Sequence, residues 1–91
     1  MSETQLLVGS LSNDMFRVAS LAQRGSLVAA SRFLVEAQRW SSQLQDADVA
    51  EYIVRLAADV SSRDANDLSM SSAERYLMYG VLLQNYALHN E

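Results

Sequence analysis

The sequence has no cysteine, no proline and no lysine, and its 91 residues include one histidine and three glycines. Without cysteine there is no disulfide framework, no thiol nucleophile and no cysteine-ligated zinc. A single histidine, His89, cannot build a base–nucleophile pair or a ligand cluster, so no catalytic or metal-binding residue and no cofactor is assigned. The absence of proline and the scarcity of glycine leave too few turn residues for an all-β domain. No stretch reaches the ~20 apolar residues that span a bilayer, so no membrane association is expected. The start, Met1-Ser2-Glu3-Thr4, lacks the basic residues and apolar core of a secretory signal. Cytoplasm is therefore the expected compartment. About five lysines would be ordinary for this length. Every base here is instead arginine, the side chain suited to planar, multi-donor contacts.

What remains is the composition of one small domain, residues 1–91. Hydrophobic residues make up 49% and charged residues 20%, which excludes a disordered tail. Eleven acids against seven bases give a formal charge of −4. That argues against a nucleic-acid partner, because phosphate contacts usually demand a basic excess.

Apolar spacing is helical almost throughout. Leu7, Leu11, Met15, Val18 and Ala22 share one face of a first segment from Thr4 to Arg24. Gly9 and the polar run Ser10–Asp14 leave open whether it is one helix or two, with Ser12, Asn13 or Asp14 as a second cap. Gly25 ends the segment and Ser26 is a candidate cap for the next. Leu27, Ala30, Phe33, Leu34, Ala37, Trp40 and Leu44 then form one stripe. The short Gly25-Ser26 connection predicts an antiparallel hairpin. Asp46 is a candidate cap for a third helix bearing Val49, Tyr52, Ile53, Leu56, Ala57 and Val60, with Asp48 in its first turn. Glu51 and Arg55 can pair four apart on its outside. Ser61–Leu68 reads as the main loop. Ser71 and Glu74 suggest a capping box for a fourth helix, from Ser72 to about His89. The predicted fold is all-α, a bundle of three to four helices beginning with a helical hairpin.

The fourth helix is apolar on nearly every side. Ala73, Tyr76, Leu77, Gly80, Leu83 and Ala87 make one face, while Met78, Tyr79, Val81 and Leu82 crowd the other. Three short neighbours can barely surround such a helix, so a partner is expected. Trp40, Met78, Tyr79, Val81, Leu82 and Tyr86 are the candidate protein-interface residues. A second candidate is the arginine set Arg17, Arg24, Arg32 and Arg39. Spacings of seven place each pair on one helix face, where they can meet an anion or an acidic partner. The run Asp64-Ala65-Asn66-Asp67 fails as a calcium loop, because Ser69 and Arg75 stand where glycine and an acid are required.

The stretch Leu21–Leu34 carries two local likenesses. At Gly25, Ser26, Ala29, Ala30 and Leu34, with Met15 and Val18 upstream, it resembles the helix-turn-helix of LysR-type regulators. Val35 and Ala37 then depart from that pattern. At Gly25, Leu27, Ala30, Phe33 and Ala37 the same stretch resembles one tetratricopeptide hairpin, with no repeat following. No family is assigned on either.

The expected function is a non-enzymatic protein-interaction module, an adaptor, chaperone or inhibitor, self-associating as a homodimer through the C-terminal helix. The alternative is a helix-turn-helix DNA-binding regulator whose Arg32, Gln38, Arg39 and Gln43 face a groove.

Overall fold

The computed structural model describes residues 2–89. Four helices follow one another: α1 (Glu3–Gln23), α2 (Leu27–Leu44), α3 (Glu51–Ser62) and α4 (Met70–His89), with no strand among the described residues. The radius of gyration is 12.0 Å, as expected for a compact chain of this length.

The first segment is one helix, not two. Its start is fixed by a capping box that the sequence reading missed. The Gln5 amide donates to Ser2 Oγ at 3.1 Å, and the Ser2 amide donates to Gln5 Oε1 at 3.0 Å. The polar run that suggested a break lies inside the helix because two of its members are buried and paired. Ser12 Oγ donates to the Gly80 carbonyl at 2.8 Å, and Asp14 accepts from Trp40. The end of α1 is a paired turn: the Gly25 amide meets the Ala22 carbonyl and the Ser26 amide meets the Leu21 carbonyl. Gly25 takes φ 79° there, a conformation that costs other residues about 1 kcal/mol or more. Ser26 follows without a side-chain capping bond.

α1 is the longest helix. It packs against both α2 and α4, α3 packs on α2, and side chains of α4 reach α3 to close the bundle. The core joins Leu11, Met15 and Val18 of α1 to Leu34 and Leu44 of α2, Ile53 and Val60 of α3, and Tyr76 and Leu83 of α4. Gly80 lets α4 approach closely. A Cβ there would lie 3.0 Å from the Phe16 ring.

Several sequence expectations are corrected. Leu27, Tyr52 and Leu77, placed on core stripes, are each about half-exposed. Asp46 does not cap α3 and Asp48 does not lie in its first turn, because α3 begins at Glu51 after Ala50. The fourth helix is capped two residues earlier than expected. Ser69 Oγ accepts the Ser72 amide at 3.1 Å, and the helix starts at Met70. Glu51 and Arg55 do pair, at 2.8 Å.

Candidate functional site

Two surfaces and two internal clusters carry the polar and apolar chemistry of this chain.

The first surface is the outward side of α1 and α2. Arg17, Arg24, Arg32 and Arg39 are all exposed. The chain's other three arginines lie close to acids. Arg55 pairs with Glu51, Arg63 pairs with Asp59 and Asp67, and Arg75 lies within the electrostatic reach of Asp59. The four outward arginines form no salt bridge among the described residues, and Arg17 acts electrostatically on Asp14. Arg17 also stacks over the Phe33 ring, 5.3 Å from its centroid. The Phe33 ring lines two shallow recesses. One, of about 420 Å³, lies between Arg32 and Arg39 over Ala29, Phe33 and Val35, with Glu36 at its edge. The other, of about 380 Å³, lies between Arg17 and Arg24 over Phe16, Leu21 and Phe33.

The second surface is the outer side of α4. Leu77, Met78, Val81, Leu82 and Leu88 are 38% to 64% exposed. Leu6 of α1 shares a recess with Leu88 at one end of this strip.

Of the interface residues expected from sequence, Met78, Val81 and Leu82 lie on this outer strip. Tyr79, Tyr86 and Trp40 do not. Tyr79 is 7% exposed, and its hydroxyl donates to Asp59 Oδ2. Tyr86 is half-buried, accepts the Ala50 amide at 3.0 Å and meets Tyr52 edge-on. Trp40 is half-buried against the core and donates Nε1 to Asp14 at 3.1 Å. The tyrosines have a common reason. The backbones of α3 and α4 have little contact, and long side chains with polar tips bridge them.

Tyr79 belongs to a cluster at the α3–α4 connection. Arg63 donates to Asp59 at 3.0 Å, to Asp67 at 2.8 Å and to Ser72 at 3.2 Å. Tyr76 donates to the Asp67 carbonyl at 2.7 Å, and the Arg63 guanidinium lies over its ring. Burial raises the Asp59 pKa, but hydrogen bonds from Tyr79 and Arg63 outweigh this and leave it below its ordinary value. Burial and the bond to Asp59 push the Tyr79 hydroxyl upward. Each polar group here is satisfied by another protein group. The cluster therefore ties the loop to the bundle.

The second cluster is the one the sequence reading missed. Asp14 is 4% exposed on α1 and faces Glu36 of α2. Its carboxyl is raised from 3.8 to about 6, first by burial and then by the neighbouring Glu36 carboxylate, against the opposing effects of Trp40 and Arg17. Two carboxylates in one place disfavour double ionisation. No group of three or more metal-ligating side chains occurs among the described residues. Asp64 accepts the Asn66 amide at 2.7 Å, a turn contact that fits the loop reading of that run. His89 is exposed at the end of α4. No helix among the described residues is long and apolar enough to cross a membrane.

No protein-family profile, curated protein or solved structure matched the chain.

Proposed function

We propose that this chain is a non-enzymatic protein-interaction module that self-associates through the outer side of α4. The observation that carries this reading is the exposed set Leu77, Met78, Val81, Leu82 and Leu88, five large apolar side chains on one helix. Contiguous exposed apolar surface on a small domain marks an interaction site. Antiparallel pairing centred between Val81 and Leu82 sets Glu74 of one copy opposite His89 of the other, an acid beside a base. A standard interface covers about 800 Å² per partner, and α4 runs about 30 Å. Leu6 beside Leu88 extends the strip onto α1.

Catalysis has little support. The one raised carboxyl, Asp14, is nearly sealed from solvent. Against the DNA-reading alternative stands the placement of Gln38, which donates to the Val60 and Arg63 carbonyls at 3.3 and 2.6 Å and is thereby turned toward α3. α1 and α2 also meet well away from their turn, at Arg17–Phe33 and Asp14–Trp40, whereas a helix-turn-helix crosses steeply, at about 90–120°.

Light scattering across a concentration series tests the reading. A mass of twice 10.1 kDa is expected for the native chain, and a single mass for Met78→Glu and Val81→Glu. A native chain that stays monomeric at every concentration overturns self-association.

A further inference from the structure

We propose that the outward face of the α1–α2 hairpin is a second docking surface, and that its occupant is an acidic amphipathic helix of another protein. This goes beyond the α4 reading and uses different residues. Three observations carry it. First, Arg24, Arg32 and Arg39 lie exposed with no salt bridge among the described residues, and Arg17, which acts on Asp14 electrostatically, is exposed beside them. Second, these arginines line two recesses that share Phe33, Arg32 and Arg39 in one and Arg17 and Arg24 in the other. Third, Val28 and Val35 are 73% and 47% exposed on the same side of α2 as Arg32 and Arg39.

The chemistry of the occupant follows from this alternation. An apolar floor between cationic ends takes a large apolar side chain flanked by carboxylates. Two such recesses side by side take two, as a helix with apolar residues on one face and acids beside them presents them. Guanidinium groups meet carboxylates in planar, two-bond geometry, which lysine cannot reproduce. A nucleic acid fits less well. Apolar side chains stand between the arginines in both recesses, so a run of phosphates would meet a basic face broken by apolar gaps.

The test uses fluorescence anisotropy and the full chain carrying Val81→Glu, so that failure of the α4 reading does not affect the result. The probe is a labelled synthetic helix-forming peptide with leucine on one face and glutamate on both flanks. Controls are the same composition scrambled, and a labelled DNA duplex. Saturable binding of the amphipathic peptide is expected, weakening as salt rises. Arg32→Glu with Arg39→Glu, and separately Arg24→Glu, should weaken it by about tenfold or more. Val35→Asp should weaken it while leaving every arginine in place. These side chains form no hydrogen bond within the described protein, so circular dichroism should stay helical and the melting temperature should fall by no more than a few degrees. Three results overturn the proposal: no saturable binding, equal binding of the scrambled peptide, or tighter binding of the duplex.

Discussion

Asp14 shows how one buried carboxyl can set the pH dependence of a small fold. Its partner is the Trp40 indole, and its neighbour is Glu36. A carboxyl moved from 3.8 to about 6 costs the fold on the order of 2–3 kcal/mol once ionised. The folded state holds its proton longer than the unfolded state. On this group's account, stability is greatest below about pH 4, falls as pH rises to about 6, and is flat beyond. Asp59 acts in the opposite sense, because its pKa is lowered and its contribution is lost as pH falls. The difference between native and variant isolates Asp14. Asp14→Asn keeps an oxygen for Trp40 and removes the charge. It should melt higher than the native chain near neutral pH, and the gap should close toward about pH 4. An equal gap at both pH values would show that Asp14 is not titrating as described. Little of this was legible in the sequence. Helical periodicity marks apolar positions, and Asp14 and Ser12 read as solvent or cap residues until the crossing of α1 with α2 and α4 is known. The partner of Ser12 lies 68 residues away, a distance that no local pattern spans.

At the scale of elements, the sequence named all four helices because apolar spacing is a within-helix property. Their ends were less legible where tertiary contacts decide them. The Gly25 turn and the Glu51–Arg55 pair are local and were readable. The start of α3 was not, since the Ala50 amide is satisfied by Tyr86 from α4 rather than by a nearby acid. The α3–α4 seam depends on such bonds, and the tyrosines can be read against one another. Tyr86→Phe keeps the ring contact with Tyr52 and strands one amide, so a loss of about 1 kcal/mol is expected. Tyr79→Phe removes a donor from a partly buried carboxylate, and about 1.5–3 kcal/mol is expected. Urea unfolding of both variants checks the order. If Tyr86→Phe costs more than Tyr79→Phe, the Asp59 cluster is not the stronger tie.

For the whole molecule, charge and apolar surface are distributed unevenly. Residues 1–45 carry four arginines and three acids, while residues 46–91 carry three arginines and eight acids. The net charge of −4 therefore conceals a hairpin with a slight basic excess joined to a strongly acidic half. Composition gives the totals, and the fold decides that the unpaired arginines share a face and that α4 keeps an apolar strip outside. Whether that strip is covered in solution has a thermodynamic signature. A domain of this size buries only a little over ~60% of its unfolded surface and has a thin margin. Association that requires the folded state adds to that margin, and the addition grows with protein concentration. For a dimer unfolding to two chains, the melting temperature should rise by roughly 3–5 °C per tenfold increase in concentration. Because the strip is apolar, moderate salt should leave that slope unchanged, whereas contacts between the basic and acidic halves of neighbouring copies would weaken with it. Val81→Glu should abolish the slope without lowering the melting temperature measured at high dilution. A native chain whose melting temperature ignores concentration would mean that α4 does not pair with its own copy. A slope that disappears in salt would mean that copies associate through charge rather than through Leu77, Met78, Val81 and Leu82.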